Sequence, residues 1–185
     1  MWKCILLLAS GLVGIGAAAA EGPRFKVSED GEAVIDAQTK LVWSRCAMGM
    51  TWRRGTCGGD SLAVTYNEAT TMAKTRAAQE GLPWRLPTVQ ELKSLAERMH
   101  GTDVKSSTLF PEAPQGWYWT SSVRVETGRV NQYDYSNVQR GLTDKNVNRV
   151  AYLHAWVVDV DAVRARSDMP RREKMSVRLV RRLQD

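Results

Sequence analysis

Short strands, then two capped helices, then strands again: that order predicts an α+β domain, two helices packed beside a mainly antiparallel sheet. Three observations carry the prediction. Short segments separated by turn residues run from Arg24 to Cys46. Two Thr-x-x-Glu boxes each precede a stretch with helical spacing. From Trp117 onward, three further segments alternate with the period of two that a strand requires.

The elements follow in order. Residues 24–27 and 32–36 form a hairpin around a turn at 28–31, where Gly31 supplies backbone freedom. A second turn, 37–40, leads into a third strand from Leu41 to Cys46. Residues 47–62 are rich in Gly, Thr and Arg and read as a loop. Thr65 and Glu68 box the start of a helix that runs to about Gln79, with Gly81 just past its end. Its inner stripe, Tyr66, Ala69, Ala73 and Ala77, is mostly small and suits close packing. Thr88 and Glu91 box a second helix. Val89, Leu92, Leu95, Ala96 and Met99 line one side of it, and Gly101 stops it. Residues 117–123 place Trp117 and Trp119 on one strand face and Tyr118 on the other. Residues 153–160 put Trp156, Val158 and Val160 together, and residues 176–183 do the same for Val177, Leu179 and Leu183. Between them, residues 124–149 are polar and read as a long excursion with little regular structure.

The N-terminal residues have the grammar of a secretory signal. Lys3 is followed by an apolar run, residues 5–16, and by Ala18, Ala19 and Ala20 before Glu21. The run is broken by Gly11, Gly14 and Gly16 and is shorter than the roughly 20 apolar residues of a spanning helix. The expectation is cleavage after residue 20, one domain over residues 21–185, and no transmembrane segment in the mature protein. Export would place it in the periplasm or at the cell surface.

Cys4 precedes the apolar run, so it is not a lipid-modified cysteine of the mature chain. Cys46 and Cys57 then remain, and an even pair in an oxidising compartment reads as a disulfide. Closing a loop of this size stabilises by roughly 3 kcal/mol in the chain-entropy account. The rival is a metal site completed by His100 and His154. The gap between the cysteines fits no short zinc spacing, and no Cys-x-x-Cys is present.

Several phrases together resemble one bacterial family. They are Val34-Ile35-Asp36 through Leu41-Val42-Trp43, Thr65-Tyr66-x-Glu68-Ala69, Trp84-Arg85-Leu86-Pro87-Thr88 through Glu91-Leu92, Trp117-Tyr118-Trp119-Thr120-Ser121-Ser122, Ala155-Trp156-Val157-Val158-Asp159, and Val177-Arg178-Leu179-Val180-Arg181. In this order they resemble the C-terminal domain of the Legionella collagen-like adhesin, across nearly the whole mature chain. The resemblance implies a C-type-lectin-like fold. For the adhesin it implies binding to sulfated polysaccharide and attachment to surfaces. The collagen-like triplets are absent here, and residues 124–149 lie outside the family phrases. The phrase from Trp84 to Glu91 is also similar to one in formylglycine-generating enzymes. Those use cysteines in their C-terminal half, whereas no cysteine follows Cys57. The fold carries over and the activity does not.

No catalytic motif is visible. His100 falls in the last turn of a helix, where a cation is favoured, and His154 on a strand. Neither has a nucleophile in a known motif, with no Gly-x-Ser-x-Gly and no His-Glu-x-x-His. Arg85 reads as ordering the loop before the second helix, and Glu91 as completing its cap. Asp144, Asn146 and Asn148 begin like a calcium loop. Arg149 then stands at the glycine position, and Ala155 where the terminal Glu belongs. Asp159 and Asp161 are too few alone. No metal, no cofactor and no enzymatic activity are expected. Trp117 and Trp119 read as core, with sugar stacking the sharper alternative.

Charge is the most informative surface signal. The chain carries a formal +6 and a pI near 9.4, which favours acidic partners. Arg164, Arg166, Arg171, Arg172, Lys174, Arg178, Arg181 and Arg182 stand against only Asp168 and Glu173 in the same stretch. Guanidinium groups pair bidentately with sulfate, phosphate and carboxylate. Arg164 and Arg166 share a strand face. Arg171, Arg172 and Lys174 fall in the connection to the last strand. Arg178 and Arg182 are expected on its outer face, opposite Val177 and Leu179. Together they would line one basic edge for an anionic glycan. A solvated rim that merely keeps the protein soluble explains the same run. Export favours surface or matrix polyanions over nucleic acid. Two other readings stay open: a structural or assembly component of the envelope binding another protein, and a degenerate enzyme of the formylglycine-generating-like fold.

Overall fold

Two tight turns and a buried third strand build the first sheet. The computed structural model describes residues 23–101, 106–122, 135–140 and 153–184. The expected signal segment, the calcium-like stretch at 144–148 and most of the 124–149 excursion lie outside the described residues. Strands β1 (Phe25–Val27), β2 (Ala33–Asp36) and β3 (Leu41–Ser44) form an antiparallel meander, and β9 (Val180–Arg182) pairs with β3. Gly31 closes the first turn at φ 76, where an added Cβ would lie 2.6 Å from the Trp52 indole nitrogen. Only glycine fits both constraints. In the second turn Asp36 Oδ1 accepts the Gln38 N–H at 3.0 Å, and Asp36 Oδ2 accepts from Arg24 at 2.7 Å.

Residues 47–62 hold more order than the loop their composition suggests. Strands β4 (Thr51–Arg53) and β5 (Thr56–Gly58) pair as a small hairpin. Arg54 and Gly55 turn it with φ 52 and 85, and both values positive is what a two-residue hairpin of matching twist demands. Cys57 on β5 is bonded to Cys46, with 5.5 Å between their Cα atoms, so the hairpin is stapled to the end of β3.

Both helices begin as their boxes predict. For α1 (Tyr66–Glu80), the Thr65 side chain accepts the Glu68 N–H, and Glu68 reaches back to the Thr65 N–H. Gly81 ends the helix in the left-handed region. For α2 (Val89–Gly101), Thr88 Oγ1 accepts the Glu91 N–H at 3.2 Å, and Glu91 accepts the Thr88 N–H at 2.8 Å. Short helices α3 (Ser106–Leu109) and α4 (Tyr135–Gln139) follow.

The second sheet, β6 (Trp117–Trp119), β7 (His154–Asp159) and β8 (Arg164–Pro170), is antiparallel throughout. The α+β class is thus observed. In this sheet β6 and β7 carry buried residues on both faces. Trp119, Val157 and Ala155 join Ala69 and Ala73 of α1 in one apolar cluster. Tyr118 and Val158 join Leu92 and Leu95 of α2 in another. Residues of α1 pack on one face and residues of α2 on the other, so alternation gives way to consecutive buried residues. A register shift between Ala155 and Val157 accompanies this, and it leaves Trp156 half-buried.

The last segment departs furthest from its alternating pattern. Val177, Arg178, Leu179 and Val180 are all buried, while Leu183 is 37% exposed. This stretch runs through the interior between elements. Met175 bridges Val64, Ser176 bridges Tyr118, Leu179 O accepts the Ser44 N–H, and Val180 bridges Arg85. Leu183 therefore does not join Val177 and Leu179 as predicted.

Candidate functional site

The basic run divides when it folds. Arg164 and Arg166 lie at the exposed start of β8, opposite Asp159 and Val157 of β7. The Arg166 guanidinium grips Asp168 through Nε at 2.8 Å and Nη2 at 2.9 Å. That charge-assisted bond holds the Asp168 carboxyl at about 2, below the usual carboxylate range. The Arg166 guanidinium also lies 5.9 Å from the centre of the Trp117 ring. Arg164 has no ion pair among the described residues and is exposed.

Arg172 and Lys174 sit in the turn after β8 and are exposed. Arg172 approaches Glu173 loosely, at 3.9 Å, with 87% of its side chain exposed. Arg171 differs. Its Nε donates to His154 O at 3.2 Å, and its guanidinium covers the Tyr66 ring at 4.6 Å. Its own carbonyl accepts the Tyr66 N–H. Arg171 thus fastens the turn to the start of α1 and does not reach outward freely, as its place in the sequence suggested.

Arg178 is corrected outright. It is 4% exposed, and burial pushes the guanidinium below its ordinary value. Nη1 donates to Ser44 O and Arg45 O, each at 2.6 Å, and the group lies 4.3 Å over the Phe110 ring. The segment is covered on both sides, with Val177, Arg178, Leu179 and Val180 all buried, so it has no outer face for Arg178 to occupy. Arg182 is exposed, but it sits on β9 of the first sheet and lines a hollow with Asp36, Glu91 and Arg98. Arg181, between them, lies 5.2 Å over Trp84, whose ring also carries Arg76 at 4.8 Å. The surviving basic surface is the β8 rim and the following turn: Arg164, Arg166, Arg172 and Lys174, with Arg171 as its strut.

What composition missed is the aromatic bed under this rim. Trp117 and Tyr66 lie beneath Arg166 and Arg171, and Tyr66 meets Trp119 edge-on at 5.5 Å between ring centres. Cation–π pairs of this kind join residues far apart in sequence, so no local pattern announces them. Asp159 and Asp161 are occupied in turns. Asp159 accepts the Asp161 and Ala162 N–H groups, and Asp161 accepts that of Gly116. His100 Nε2 meets Val160 O at 2.9 Å. Among the described residues, no group of three His, Cys, Asp or Glu side chains is placed to hold a metal ion.

Arg85 and Glu91 form a two-point ion pair, through Nη1–Oε2 at 2.9 Å and Nη2–Oε1 at 2.7 Å. Burial raises the Glu91 carboxyl. Arg85 and the Thr88 N–H outweigh burial and leave it below its ordinary value. The pair locks the loop before α2 to its first turn, and it touches no part of the basic rim.

Residues 32–181 match the family model of the Lcl C-terminal domain. No curated protein matches the chain. Among the described residues, no helix is long and apolar enough to cross a membrane.

Proposed function

The chain belongs to the Lcl C-terminal domain family, and from that premise we propose that it is an exported, lectin-like recognition domain binding an acidic polysaccharide. The role is adhesion-type binding, not catalysis. The observation that carries the reading is the β8 rim. Arg164, Arg172 and Lys174 are exposed there beside Arg166 and Arg171, which are held over Trp117 and Tyr66. Arginine forks suit sulfate and carboxylate, and a half-buried indole beside them offers an apolar face to a sugar ring. The Cys46–Cys57 bond is in keeping with an oxidising compartment outside the cytoplasm.

The test is retention of the mature protein on immobilised heparin, compared with Arg164→Ala/Arg172→Ala/Lys174→Ala. Arg171 is left intact because it braces α1. The variant should keep its melting temperature and elute at lower salt, since exposed charges are screened beyond about 8–10 Å near physiological ionic strength. Equal elution of the folded variant would exclude the rim.

A further inference from the structure

A pocket of about 320 Å³ opens between α2, α3 and β6. Its walls are largely apolar: Leu92, Leu95, Met99, Phe110, Tyr118 and Val160 all line it. Arg178 lines it too, and that residue is otherwise almost wholly buried. Among the described residues every partner of the guanidinium is neutral. Two are the carbonyls of Ser44 and Arg45, and one is the Phe110 ring. The Tyr118 hydroxyl, also on the pocket wall, donates to Pro114 O at 2.6 Å. Among the described residues no carboxylate pairs with Arg178. Glu112 and Asp161 line the pocket but are exposed, and Asp161 already holds the Gly116 N–H at 2.6 Å. An arginine cannot shed its proton to escape burial, so among the described residues this buried positive charge has no counter-charge.

We propose that this pocket binds a small organic acid, an apolar body bearing one carboxylate that pairs with Arg178. The volume lies at the lower end of small-molecule sites, which run from about 300 to 1,000 Å³, so an aryl or short alkyl acid fits and a polymer does not. The two exposed carboxylates at the wall disfavour a second negative charge on the ligand. None of Arg164, Arg166, Arg171, Arg172 and Lys174 lines this pocket, and the proposal does not rest on the polysaccharide reading.

Calorimetric titration of the mature protein with benzoate, hexanoate and 4-phenylbutyrate tests it, each acid beside its neutral alcohol. At least one acid should bind, about ten-fold or more tightly than its alcohol, as loss of a charged hydrogen bond implies. Ser107→Trp places a large ring on an exposed wall residue. It should abolish acid binding while leaving the melting temperature and heparin elution unchanged. Arg178→Met should bring acid and alcohol to equal affinity. If that variant does not fold, Ser107→Trp and the alcohol comparison still decide. Failure of all three acids, equal binding of acid and alcohol, or unchanged binding in Ser107→Trp would overturn the proposal.

Discussion

Glu91 joins two devices in one side chain, and replacing it with glutamine separates them. In the native protein its carboxylate accepts two hydrogen bonds from Arg85 and one from the Thr88 N–H. Glu91→Gln keeps an acceptor for Thr88 but removes the charge that Arg85 grips. The side chains are 38% and 21% exposed, so solvent screens the pair and its worth is nearer that of a surface bridge, about 1 kcal/mol. Some loss at the cap adds to this, and the whole change should cost about 1–2 kcal/mol at pH 7. The sign with pH follows from the lowered carboxyl of Glu91. A group with a depressed folded value contributes stability above its unfolded value, near 4.3, and loses it as pH falls through the folded one. Urea midpoints of native and variant protein should therefore differ at pH 7 and converge as pH drops below about 4. A gap that stays constant from pH 7 into acid would mean that glutamine acts by packing alone. No gap at pH 7 would mean that the ion pair contributes nothing.

Other outcomes follow from the same structure. Replacing Cys46 and Cys57 with Ser should lower stability by roughly 3 kcal/mol; two reactive thiols in the native, non-reduced protein would contradict the bond. Gly31→Ala meets both a positive φ and the Trp52 ring, and should cost more than about 1 kcal/mol; an unchanged denaturant midpoint would refute that account of the turn. Cleavage of the N-terminal segment predicts an intact mass that begins at or near Glu21, and full-length chain in the membrane fraction would contradict it.

Much of the fold was legible because its signals are local. Thr65, Glu68, Thr88 and Glu91 act within one helical turn of each other, and Gly31 and Gly81 act at their own φ. The cysteine pair was legible by count. What stayed hidden depends on what covers a strand. The period of two in residues 176–183 predicts one wet face, but a strand with neighbours on both sides has none. That is why Arg178 moved from the expected surface to the wall of a pocket. The hairpin at 51–58 was hidden because three-residue strands are too short to show a period. The rim at β8 was half legible. Its arginines could be counted, but that Asp168 neutralises one and Tyr66 anchors another follows only from the fold.

Recognition of an acidic polysaccharide through charge is tested by equilibrium binding of the mature protein to size-matched heparin and to fully desulfated, re-acetylated heparin, at low and at physiological salt. Heparin should bind at low salt and weaken as salt rises, with the desulfated polymer much weaker at both. Equal affinity for the two polymers, or no binding to either at low salt, would contradict it.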